Sequence, residues 1–127
     1  MSAQRCPDGS GEGRAGLTVR VAPAPGHVVV SVTGEIDTGM QQAFRDALMG
    51  EVEELARGRL VVDLSGVGFM AAAGVHVLLM VSELLAADGG SLVVAGAQPV
   101  VARVLSLTGV DQVIPVAKGI EQALTFS

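Results

Sequence analysis

The sequence has no tryptophan and no tyrosine, and only three phenylalanines in 127 residues. Any core must therefore be assembled from Val, Leu, Ile, Ala and Met. Hydrophobic residues make up 50% of the chain, which suffices for one domain of this length. Cysteine is almost missing as well. Cys6 stands alone, so an internal disulfide is excluded, which suits a reducing, cytoplasmic setting. Basic residues are few and scattered: eight Lys and Arg against thirteen Asp and Glu leave a formal net charge of −5. Binding nucleic acid needs clustered cations to neutralise phosphates, so nucleic acid is not an expected partner. No apolar run approaches the ~18 residues that cross a bilayer, and no charged-then-apolar leader opens the chain, so membrane insertion is not expected either.

Catalytic groups are equally sparse. His27 stands after a turn and His76 on the first turn of a helix, neither beside a candidate nucleophile. Glu51, Glu53 and Glu54 read as the solvated side of a helix, and no His, Cys, Asp and Glu cluster has metal-ligand spacing. Gly66-Val-Gly68 lacks the third glycine of a dinucleotide fingerprint and the lysine of a phosphate loop. No enzyme, metal or cofactor is expected.

What is present is a regular alternation of short apolar runs and helical spacings. Residues 1–16, rich in Gly, Ser and charge, read as a disordered tail. Leu17 to Val21 alternates apolar with polar, Pro23-Ala-Pro-Gly26 forces a turn, and His27 to Thr33 returns with Val28, Val30 and Val32 on one face, which predicts an antiparallel hairpin. A helix follows from about Gly39 to Ala56, with Phe44, Leu48, Val52 and Leu55 as its stripe. Either Asp37 or Thr38 can cap it, the latter in a capping box with Gln41, and Gly58 ends it. Leu60 to Leu64 reads as a strand buried on both faces. The chain is then expected to turn through Ser65, Gly66 and Gly68 and to pass along a loop, 69–74, into a helix running from Gly74 to Ala87. The core stripe of that helix is Val77, Leu78, Val81, Leu84 and Leu85. A buried strand at Leu92 to Ala95, a helix opened by Gln98-Pro99 and closed by Gly109, an edge strand from Gln112 to Val116 and a short helix from Lys118 to Leu124 complete the order. Strands alternating with helices imply an α/β domain with a mainly parallel sheet and right-handed crossovers. In such a sheet the loop carrying Glu35 and Asp37 and the loop at 65–74 leave the carboxyl ends of neighbouring strands, the edge where α/β proteins bind ligands and partners.

The segments Val32-Thr-Gly-Glu-Ile-Asp37, Leu60-Val-Val-Asp-Leu-Ser-Gly-Val67 and Phe69-Met70 followed by Gly74 together resemble the STAS domain, most closely the bacterial anti-sigma factor antagonists. Gly89 to Val94, Pro99 to Leu105 and Leu107 to Pro115 continue the likeness, which spans residues 17–126. The resemblance implies one STAS-like domain over residues 17–127, a mixed, mainly parallel sheet of about five strands with about four helices. It implies a regulator that docks on an anti-sigma factor, a serine kinase, and frees the sigma factor for transcription. It also implies a phosphoacceptor serine in an Asp-Ser-Ser/Thr-Gly loop. Here that loop reads Ala71-Ala72-Ala73-Gly74, so the acceptor position falls on Ala72, which has no oxygen to receive phosphate. The implied partner surface comprises Glu35, Asp37, Phe69, Met70, Ala71, Ala72, Ala73, Gly74, Val75 and His76, on a monomer or weak dimer. STAS-like chains also resemble components of transport systems and small-ligand binders, which stands as the alternative.

Overall fold

The computed structural model describes residues 17–55 and 57–125; the tail expected over 1–16, with Cys6, and the expected helix end at Ala56 lie outside the described residues. Five strands, β1 (Leu17–Ala24), β2 (His27–Ile36), β3 (Arg59–Met70), β4 (Ser91–Ala95) and β5 (Val116–Ala117), form one sheet in the order β1-β2-β3-β4-β5. β1 is antiparallel to β2, and every other neighbour is parallel. Four α-helices, α1 (Gln41–Leu55), α2 (Ala72–Ala87), α3 (Pro99–Leu107) and α4 (Ile120–Thr125), are joined by two short 3₁₀ turns at Thr38–Met40 and Val110–Gln112. The fold class expected from the sequence is the one observed.

The hairpin closes tightly because Ala24 pairs with His27, leaving Pro25-Gly26 as a two-residue turn. Proline fixes its own φ, and Gly26 adopts φ 85, the left-handed value this turn requires. Beyond β2 the strands follow one another across the sheet, so each crossover steps the same way. With right-handed connections, α1, α2 and α3 must lie on one face. Side-chain alternation agrees. Val28, Val30 and Val32 of β2 and Leu60, Val62 and Leu64 of β3 share a core with Phe44 and Leu48 of α1, Val77, Leu78, Val81 and Leu85 of α2, and Val101 and Leu105 of α3. The intervening Val29, Val61 and Val93 face the other way and meet Ala123 and Ile120 of α4, which follows the last crossover. Each fully buried Val or Leu contributes about 1.5–3 kcal/mol. A core that is aliphatic apart from Phe44 thus does on both sides of the sheet what aromatics do elsewhere.

Several boundaries and exposures differ from expectation. Leu84 is 42% exposed, so it lies outside the α2 stripe, and Val75 joins the buried set instead. Glu51 is not on the solvated side of α1: it is buried, whereas Glu53 and Glu54 are exposed. The strand expected from Gln112 to Val116 is displaced, because Val110–Gln112 winds into a 3₁₀ turn after Gly109, at φ 80, and β5 starts only at Val116. The last helix begins at Ile120 rather than Lys118.

Candidate functional site

The largest departure lies in β3. No loop leaves the sheet at Ser65; the strand continues to Met70, and α2 starts at Ala72 instead of Gly74. Pairing with β4 ends at Asp63 opposite Ala95. Pairing with β2 goes on, but the register slips twice, between Ser31 and Thr33 and between Gly34 and Glu35. Each slip inserts one extra residue into β3, a β-bulge. The reason is visible in the burial. Val62, Leu64, Val67 and Met70 are all buried at spacings of two, three and three, so each bulge turns two consecutive residues outward while keeping the core side filled.

The first bulge is held by side chains. The Asp63 carboxylate accepts from the Ser31 hydroxyl at 3.1 Å and from the Ser65 backbone N–H at 3.0 Å. Gln98 Nε2 donates to the Ser65 carbonyl at 2.8 Å. Ser65 is therefore a bulge residue whose backbone donor and acceptor are satisfied locally. Sequence reasoning missed Asp63 and Gln98 as supports; the available signal was a carboxylate inside an apolar strand just ahead of two glycines.

The result is a rim formed where β2 and β3 outrun the rest of the sheet. Glu35 pairs with Phe69 and Ile36 with Met70, and Ala71 donates its N–H to the Ile36 carbonyl at 2.8 Å. The two loops expected to share an edge are thus two paired strand ends. Asp37 settles the choice of cap: its carboxylate accepts from the Met40 N–H at 3.1 Å and closes the 3₁₀ turn ahead of α1, and that turn packs against α2. α2 starts from Ala71 in an extended conformation with no side chain capping it. Gly74 is required by close approach, since a Cβ there would come within 2.8 Å of Ile36 Cγ2 and 3.1 Å of Met70 Cγ.

Exposure divides the expected partner residues. Phe69 is 42% exposed, and Glu35, Asp37, Ala72 and His76 are exposed around it, with Ala71 and Ala73 half-buried. Ala72 and His76 are four residues apart and so share a face of α2. Met70, Gly74 and Val75, also expected on the contact surface, are buried, and they seat the first turn of α2 on the ends of β2 and β3. Among the described residues no group of His, Cys, Asp and Glu is placed to hold a metal, and no helix is long and apolar enough to cross a membrane. The rim's chemistry is that of a surface: one exposed phenyl ring, one imidazole, two carboxylates and a patch of methyl groups.

Residues 18–123 match the STAS domain family. The chain belongs to that family. Among curated STAS relatives, it is 35% identical over 109 residues to the anti-sigma-F factor antagonist RsfB of Mycobacterium tuberculosis, covering 86% of this chain and 88% of the relative. It is 26% identical over 109 residues to an anti-sigma F factor antagonist of Paenibacillus polymyxa, covering 86% and 93%. The fold superposes on the crystal structure of an anti-sigma factor antagonist from Mycobacterium paratuberculosis with a TM-score of 0.77 and 34% identity, over 86% of this chain and 92% of that one.

Proposed function

We propose that this STAS protein is an anti-sigma factor antagonist. It binds an anti-sigma factor of the serine-kinase kind through the rim around Phe69 and thereby frees a sigma factor for transcription. The observation that carries the reading is the likeness, over most of both chains, to the antagonist RsfB. The rim supports it physically: an exposed aromatic ring flanked by Glu35 and Asp37 is the kind of anchor that dominates protein interfaces.

A second element concerns control. In the antagonist pattern this chain resembles, the residue at Ala72 is the serine that the kinase phosphorylates. A phosphate there adds about −1.5 to −2 charges and strong acceptors at the contact surface. Ala71-Ala72-Ala73 offers no hydroxyl, so the kinase cannot switch this antagonist off at that position, and the complex persists in the presence of ATP.

The test is reconstitution with the anti-sigma factors of the same organism. The unsubstituted chain is expected to form a complex that ATP leaves intact, with no phosphate detected on the chain by intact-mass measurement. The triple substitution Ala71→Asp, Ala72→Ser, Ala73→Ser is expected to gain one phosphate and lose the complex on adding ATP. Failure to bind any of these anti-sigma factors overturns the function. Phosphorylation of the unsubstituted chain that dissolves the complex overturns the insensitivity alone.

A further inference from the structure

At the opposite end of the sheet from the rim, the first residues of three parallel strands lie in one row: His27 of β2 pairs with Arg59 of β3, and Arg59 with Ser91 of β4. Paired residues point to the same face of a sheet. Here that face is the one covered by α4, since the next residues of the same parity, Val29, Val61 and Val93, pack against Ala123. The side chains of His27, Arg59 and Ser91 thus leave neighbouring strands on one face, from backbones about 4.8 Å apart, where the rows behind them are apolar. They border a depression of about 340 Å³ that Arg57 and Leu124 also line.

Three features make this depression more than solvated surface. Among the described residues no carboxylate lines it, although the chain carries a net charge of −5. Arg59 is positioned in advance: it donates from Nη1 to the Ala123 carbonyl at 2.8 Å, which fixes the guanidinium and leaves its other N–H groups for a ligand. The floor is closed by backbone. Gly58 lies so near Gly26 that an added Cβ would sit 2.5 Å from the Gly26 carbonyl, and Arg59 N–H and Ser91 N–H donate to Gly26 and Gly58 carbonyls at 3.0 and 3.1 Å.

The geometry points to a binding site for the phosphate group of a small soluble molecule, held by Arg57, Arg59, His27 and Ser91. Guanidinium groups grip a phosphate through parallel, charge-assisted hydrogen bonds, and hydroxyl and imidazole donors complete the set. The volume exceeds what a bare ion fills and falls at the lower end of small-ligand pockets, roughly 300–1,000 Å³. The site lies away from Phe69 and Ala72, so occupancy and partner binding are separate events.

The experiment is titration of the full chain with inorganic phosphate, with glycerol phosphate and with phosphatidylglycerol vesicles, each against sodium chloride of equal ionic strength. Backbone amide NMR shifts and calorimetry are the readouts. Saturable shifts at Gly26, Gly58 and Ser91 with both soluble phosphates, tighter for the ester, are expected. Arg57→Gln and His27→Gln are the informative variants, because Arg59 also anchors α4; Arg57→Gln is expected to weaken binding about tenfold. Shifts no larger than those in chloride overturn the site, as does binding that both variants leave unchanged. Binding to vesicles without binding either soluble phosphate overturns the small-molecule ligand in favour of a lipid headgroup.

Discussion

Between Arg59 and Asp63, β3 is paired on both sides in unbroken register; between Leu64 and Met70 it has β2 alone and slips register twice. The first half gives the molecule its centre. The second half keeps filling the same core yet turns Ser65-Gly66 and then Gly68-Phe69 to the surface. One strand thus serves as core and as display, and bulges are what allow both. The largest effects should show whether the display half is as structural as the other. Leu60, 0% exposed, and Met70, 1% exposed, represent the two halves. Leu60→Ala and Met70→Ala should each cost about 2–5 kcal/mol in urea unfolding. A cost below about 1 kcal/mol for Met70→Ala would mean that the rim half is merely draped on the fold.

The next effect separates display from core within the same half. Phe69 is one residue from Met70 but 42% exposed. Phe69→Ala should lower stability by less than about 1 kcal/mol and weaken binding to the proposed anti-sigma factor partner by about 2 kcal/mol, roughly thirtyfold. Equal losses in stability and binding would show that the ring holds the rim rather than the partner. Gly74→Ala should act in the opposite sense, costing about 1–3 kcal/mol of stability by crowding Ile36 and Met70 under the first turn of α2.

These contrasts also explain what the sequence could and could not convey. The order of strands and helices was legible because each element carries a local signature: valines alternating in β2, proline at the first turn of α3, glycine just past its end. That Glu35 and the residues before α2 share an edge was legible too, since it follows from parallel strand direction. The extent of β3 was not. Two bulges break the alternation, and Gly66 and Gly68 mimic a turn; only pairing with β2, which is non-local, reveals a strand. Burial at the rim was also hidden. Met70 and Val75 are apolar residues beside a surface, and sequence alone does not say whether such residues face a partner or their own sheet. Glu51 follows the same logic in reverse, a charged residue whose burial nothing nearby in the chain announces.

The smallest effect isolates why the first bulge carries glycine. Glycine is required either where φ is positive or where another chain segment comes too close for a Cβ. Gly66 is not among the residues with positive φ, so only the second reason applies. A Cβ at Gly66 would meet Thr33 Oγ1 at 2.7 Å, the Val32 carbonyl oxygen at 3.2 Å and Thr33 Cα at 3.3 Å. Gly66→Ala should therefore cost about 1–2 kcal/mol. Thr33 is exposed, and Thr33→Ala alone should change stability by no more than about 0.5 kcal/mol. In the double variant the hydroxyl is gone but the backbone contacts remain, so about half of the loss should return, giving a measurable coupling in a double-mutant cycle. Strict additivity would mean that the two strands part at the bulge and that the close approach of β2 and β3 is not what holds the rim in place.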